Sequence, residues 1–171
     1  HHFAHKPDFD AIAFAELARS MGFQGISLSL NNENYRHLGG REPERMDRLR
    51  AYLTTHGMSL EVDTSGTTPA HMSEMLNVAH RLGATSLRTY TRHGGAVREM
   101  MQNTVGDLAA VTRQANDLGV IIALENHEDF TGPELAEIVE RVGHPNLKIL
   151  YDYGNSQMVL EDPIAALDAV L

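Results

Sequence analysis

The chain has 171 residues, 42% of them hydrophobic and 22% charged, with no cysteine and a formal net charge of −9. That is ample chain for a buried core and the balance of a soluble globular protein, while the acidic surface repels phosphate backbones and argues against nucleic acid as a partner. The absent cysteines exclude a disulfide framework, a thiolate zinc site and a cysteine nucleophile, and no apolar run approaches the roughly 20 residues of a membrane span.

One pattern repeats along the chain: an amphipathic helical stretch, a glycine stop, then a short β-rich run. The chain opens on His1-His2 without a signal-peptide pattern. Phe3-Ala4-His5 does not continue a purification tag, so an internal start within a longer protein is expected. The first helix is predicted over 9–21, stopped by Gly22 and followed by a strand over 25–30. The second covers 43–56, with Gly57 and a strand over 59–63. The third covers 69–82, with Gly83 and a strand over 86–90. The fourth covers 96–118, with Gly119 and a strand over 120–127, which contains the longest apolar run. The fifth covers 133–142, with Gly143 and a strand over 147–152. A last helix starts near Pro163.

Glycine after a helix takes the left-handed conformation without a Cβ penalty. Pro43, Pro69, Pro133 and Pro163 sit where a first-turn proline costs no hydrogen bond. Thr68 and Asp162 are the N-cap candidates. Strands alternating with helices of this length mean βαβ units and a parallel sheet. The near-uniform repeat, about 27 to 35 residues from strand to strand, fits a barrel of eight. A doubly wound sheet would carry a phosphate-binding glycine fingerprint after its first strand, and no such fingerprint occurs.

Strand alternation supports the barrel. Ile26, Leu28, Leu30, Leu60, Val62, Leu87, Ile122, Leu124 and Ile149 share one parity and should pack under helices. The other parity carries Ser27, Ser29, Asn31, Ser59, Glu61, Asp63, Ser86, Arg88, Tyr90, Glu125, His127, Lys148 and Asp152. Central strands of a doubly wound sheet are apolar on both faces. A polar second face, richest toward the C-terminal strand ends, reads as the lumen of an enzyme barrel. Residues 1–171 are taken as a single partial barrel domain.

The chemistry should centre on Glu125 and Asp152, each expected at a strand end on the polar face. Hard divalent cations favour carboxylate oxygens. Two lumen carboxylates repel unless a cation or proton lies between them. The alternative is that they cap loops or meet Lys148 or Arg88. His127 shares the face of Glu125 and is placed for proton transfer or for a substrate oxygen. Arg88 could orient a carboxylate, phosphate or polyol, or form a salt bridge with Glu61, Asp63 or Glu125. Asp63 joins the same rim, and Asn155, in Asp152-Tyr-Gly-Asn155, could bond a sugar hydroxyl. His5, His37, His56, His71, His80, His93 and His144 are expected to be solvated. Met72, Met75, Met100 and Met101 should be helix-core residues. Residues 42–50 form a charged helix face, and Gly94-Gly95 is expected to form a mobile loop.

Leu124-Glu-Asn-His-Glu-Asp-Phe-Thr131, Leu150-Tyr-Asp-Tyr-Gly-Asn155 and Glu161-Asp-Pro163 together resemble the xylose isomerase-like superfamily of sugar phosphate isomerases and epimerases. The resemblance runs from residue 9 onward. It implies a (β/α)8 TIM barrel binding one divalent metal (manganese, magnesium, cobalt or zinc) through Glu, Asp, His and Glu of the last four strands. Glu125 matches the first ligand and Asp152 the second. The third and fourth fall outside, so the chain is expected to hold strands two to six, to lack the first, seventh and eighth, and to be inactive in isolation.

The implied function is a metal-dependent isomerase or epimerase that removes a proton next to a carbonyl, with a metal-stabilised enediolate. Glu125 and His127 would be catalytic, and Asp63, Arg88 and Asn155 would contact substrate. A dehydratase of a keto-polyol such as inosose or dehydroshikimate is the alternative. An AP endonuclease is disfavoured by the acidic charge and a lumen poor in histidine, and a non-catalytic sugar-binding barrel is the other class. The expected partner is a small sugar or keto-polyol, with no nucleic acid and no membrane. Homo-oligomerisation is left open, and the expected compartment is the cytoplasm.

Overall fold

A computed structural model describes residues 9–31, 35 and 38–171. His5 and His37, among the histidines expected to be solvated, lie outside the described residues.

Five parallel strands pair in sequence order: β1 (Gly25–Ser29), β2 (Ser59–Asp63), β3 (Ser86–Thr89), β4 (Ile121–Glu125) and β5 (Leu147–Leu150). Six helices alternate with them: α1 (Ala11–Ser20), α2 (Pro43–Thr55), α3 (Pro69–Leu82), α4 (Val97–Leu118), α5 (Gly132–Val142) and α6 (Pro163–Val170). Each strand neighbours the next in the chain, which is the order of a barrel wall; a doubly wound sheet reverses direction at a switch point. The architecture is an arc of a TIM barrel.

The helix boundaries follow from local chemistry. The five glycine stops all have positive φ, between 62° and 86°, where a β-carbon would be strained. The four prolines all sit in the first turn of a helix. Asp162 caps α6 by accepting from Ile164 and Ala165 N–H. Thr68, in the same position before Pro69, makes no side-chain cap bond. Two caps escaped the sequence. Asp10 accepts from Ile12 and Ala13 N–H, and Thr131 with Glu134 forms a reciprocal capping box at α5.

The register puts Ile26 beside Leu60, Val62 beside Leu87, Leu87 beside Ile122, and Leu124 beside Ile149. This apolar face packs under the helices against Leu49, Leu53, Met72, Met75, Leu76, Leu108, Leu135 and Ile138, all buried. Met101 is buried too, and Met100 packs against the core. The opposite face aligns Ser29, Asp63, Arg88, Ala123 and Lys148 in one row. The run 120–124 is therefore only half buried: Val120, Ile122 and Leu124 face the helices, and Ile121, on the polar side, is exposed.

Candidate active site at the C-terminal rim of the sheet

Four of the five strands stop short of the predicted ends: β1 at Ser29, β3 at Thr89, β4 at Glu125 and β5 at Leu150. Glu125 does close its strand, but Asp152 lies two residues beyond β5, and His127 and Tyr90 lie in loops. The cause at Asp152 is a side chain that replaces the ladder. Asn126 Oδ1 accepts from Asp152 N–H at 2.7 Å, and Asn126 Nδ2 donates to Asp152 C=O at 2.9 Å. Asn126 is 2% exposed, so this amide locks the two loops together in a dry setting. Tyr151 braces the same turn, its hydroxyl bonding Ser156 Oγ and Pro163 C=O.

Strand-like backbone bonds also continue past β2. Thr64 N–H donates to Arg88 C=O and Gly66 N–H to Tyr90 C=O. They fix the segment that carries Arg88 and Tyr90.

On that rim a chain of polar contacts joins the predicted residues. Ser29 Oγ and Asn31 Nδ2 donate to Asp63 Oδ1 at 2.8 and 3.1 Å. Arg88 lies between two carboxylates, with Nη1 3.8 Å from Asp63 Oδ1 and Nη2 bonded to Glu125 Oε2. Glu125 is 3% exposed, and burying it is tolerable because Arg88 pairs with it. His127 Nδ1 is 3.6 Å from the same Glu125 Oε2, too far for a hydrogen bond. It is buried and has no hydrogen-bond partner. The His127 ring stacks on Tyr90, centroids 4.0 Å apart, and Arg92 lies over Tyr90 with Cζ 5.4 Å from the ring centre. Nearby, burial pushes the Asp129 carboxyl above the usual carboxylate range, and the fields of His127 and Arg92 draw it partly back.

The alternative drawn for the carboxylates is thus realised in part. Glu125 meets Arg88, and Asp152 Oδ1 caps a loop by accepting from Gly154 N–H at 2.8 Å. Each carboxylate commits one oxygen to the protein. Glu125 Oε1 and Asp152 Oδ2 accept no hydrogen bond among the described residues, which suits a hard cation held by oxygen. No three His, Asp or Glu come together as a ready metal site among the described residues. Asn155 opens a short 3-10 helix, Asn155–Val159, its N–H bonded to Asp152 C=O.

The histidines expected in solvent are not all there. His71 bonds Thr64 Oγ1 and His93 bonds Asp107 Oδ2, both partly buried. His144 is partly buried and accepts the Asn146 N–H, whereas His56 and His80 are exposed as expected. The approach to Gly94-Gly95, expected to be mobile, is pinned through His93. Sequence reasoning missed Asn126, Arg92 and Asp129. Asn126 was within the Glu-Asn-His motif, but its parity pointed away from the lumen.

The family model described as xylose isomerase-like TIM barrel matches residues 15–170. Among curated proteins, the chain is 25% identical over 152 residues to the uncharacterized protein YihM of Escherichia coli strain K12, covering 89% of this chain and 47% of that protein. It is 23% identical over 130 residues to the 3-oxo-isoapionate decarboxylase of Pectobacterium atrosepticum, covering 76% and 47%. The chain thus spans about half the length of these relatives. Among solved structures, a D-psicose 3-epimerase in the presence of D-fructose superposes with a TM-score of 0.79 at 15% identity, covering 96% of this chain and 65% of that one. The IOLI protein with a bound zinc atom superposes at 0.75 and 18%, covering 92% and 63%.

Proposed function

The chain belongs to the xylose isomerase-like TIM barrel family, and on that footing we propose that the intact protein is a divalent-metal-dependent isomerase or epimerase of a sugar or sugar phosphate. The observation that carries this reading is the Asp63–Arg88–Glu125–His127 cluster at the C-terminal strand ends. Barrel enzymes place their chemistry there. The likeness to an epimerase and to a zinc-binding barrel supports it.

Glu125 and Asp152 would hold the cation through the oxygens that the protein leaves uncommitted, and a bound divalent ion would supply Lewis acidity for the negative charge that develops on substrate oxygens. The remaining steps fall to the chain's own side chains. Glu125 Oε2, oriented by Arg88 through one lone pair and not used for the cation, takes the proton from the carbon beside the carbonyl on its other lone pair. His127 Nδ1 faces that carboxylate across 3.6 Å, a gap that substrate binding would close, and returns a proton to the enediolate, at the neighbouring carbon in an isomerisation or at the opposite face of the same carbon in an epimerisation. Tyr90 sets the plane of the His127 ring by stacking. Asp63 and Asn155 accept and donate hydrogen bonds to sugar hydroxyls.

A second reading has its own observation. The unpartnered His127 Nδ1 is equally suited to protonate a departing hydroxyl, which would make the protein a dehydratase of a keto-polyol. Incubating the intact, metal-loaded protein with a panel of keto-sugars in deuterated water separates the two. Deuterium in recovered substrate and in product supports the isomerase or epimerase. Water loss from a keto-polyol with no epimerised sugar would overturn it in favour of the dehydratase.

A further inference from the structure

We propose that the substrate carries an oxyanion group, a carboxylate or a phosphate, and that Arg92 binds it; this rests on the sugar isomerase or epimerase reading and names the class of sugar that the site takes. Arg92 follows Tyr90 by two residues on the same rim. Its guanidinium lies over the Tyr90 ring, 5.4 Å from the centroid, and that ring stacks with His127. The cation therefore stands beside the reacting cluster, at its exposed margin.

Arg92 is positioned but not neutralised. Arg41, Arg45, Arg81, Arg88 and Arg141 each form an ion pair. Arg92 forms none among the described residues, and neither do Arg19, Arg48, Arg50, Arg98 and Arg113, but of these unpaired arginines Arg92 is the one whose guanidinium lies over Tyr90, beside His127. Asp129 feels its field without making an ion pair with it. Arg88 cannot serve an incoming anion, because Asp63 and Glu125 already occupy it.

The backbone on both sides of Arg92 is tied down. Thr91, 1% exposed, accepts through Oγ1 from Thr104 Oγ1 at 3.0 Å and from His93 N–H at 3.2 Å. His93 Nε2 is 2.7 Å from Asp107 Oδ2, which also accepts from Thr67 Oγ1 at 3.0 Å. The Arg92 stem lies along Gly66, where an added β-carbon would sit 3.7 Å from its Cγ.

A guanidinium held this way has lost part of its freedom before any ligand arrives, which lowers the cost of binding. Its planar fork matches carboxylate and phosphate alike. The net charge of −9 repels an anion over the rest of the surface, so a substrate with an oxyanion needs one free cation at the mouth.

The test measures equilibrium binding to the intact protein by calorimetry for three matched probes: fructose, a terminal fructose monophosphate and fructuronate. One of the two anions should bind at least tenfold more tightly than fructose, and which one does so tells phosphate from carboxylate. Arg92→Gln should weaken that anion roughly tenfold to a hundredfold more than it weakens fructose, the range for a charged hydrogen bond. Arg92→Lys, which keeps the charge but not the fork, should fall between. Equal binding of fructose and both anions, or equal weakening of all three by Arg92→Gln, would overturn the proposal. If the anion preference depends on Arg92 but no solvent deuterium enters any sugar, the reaction reading fails and the binding assignment stands. Deuterium entering fructose without any anion preference gives the reverse result.

Discussion

Glu125 is the most enclosed acid on the rim, and an enclosed carboxylate must be paired. Arg88 does this by bonding one oxygen, and the other is left for a ligand. Glu125→Gln and Asp152→Asn each remove a negative charge with little change in shape, so both should lower the metal content of the intact protein and abolish turnover. Elemental analysis and a rate assay check this, and wild-type values in both variants would refute the ligand assignment. His127 makes a separable contribution. Its Nδ1 has no partner to lose, so His127→Ala should leave metal content largely intact. The rate should fall by roughly a hundredfold or more, the low end for a general acid or base. A near-normal rate would mean that the imidazole serves only to stack on Tyr90. Glu125 at the end of its strand could be read from the sequence, because strand parity reaches that far; Asp152 and His127 lie beyond the strand ends, where parity no longer places a side chain. That Arg88 pairs with both Asp63 and Glu125 could not be read, because three partners were open to it.

Loops that follow strands carry much of the site, and what fixes them is side-chain hydrogen bonding. Asn126 takes both backbone groups of Asp152, so Asn126→Ala would leave the partly buried Asp152 N–H without its acceptor, while Asp152 C=O keeps the Asn155 N–H. A loss of about 1–3 kcal/mol is expected for such a change, read by denaturant unfolding. Metal affinity should fall as well, since Asp152 is no longer held. An unchanged affinity would show that the clamp does not position the carboxylate. Glu161 works in a comparable way, its carboxylate accepting the Gly132 N–H at the start of α5. Tyr35 ties the loop after β1 to α3 by donating to Glu74 at 2.7 Å, and burial with that bond pushes its phenol up to about 12. Helix starts and stops were legible because proline and glycine act locally. Strand ends were not, because alternation of residue types continues past the last paired residue, and after β4 and β5 the Asn126 clamp takes the place of the ladder.

Across the whole molecule, the five strands are bound into one wall by an apolar layer under the helices. Leu87 sits at its centre, fully enclosed and level with Val62 and Ile122. Leu87→Ala should cost about 2–5 kcal/mol, a large part of the 5–15 kcal/mol typical of a domain, and chemical denaturation would measure it. A cost under roughly 1 kcal/mol would show that the site collapses around the cavity. The sequence by itself determined the alternation of strand and helix, the parallel wall and the polar face carrying Asp63, Arg88 and Glu125. Those follow from periodicity and from the stereochemistry of glycine and proline, which act over a few residues. Tertiary structure alone decided which carboxylates Arg88 joins, that Asn126 replaces the strand ladder at Asp152, and that His93 and Thr91 hold Arg92 beside Tyr90. Those contacts link residues 13 to 37 positions apart in the chain, and register between neighbouring strands and helices, rather than any local preference, brings them within bonding distance.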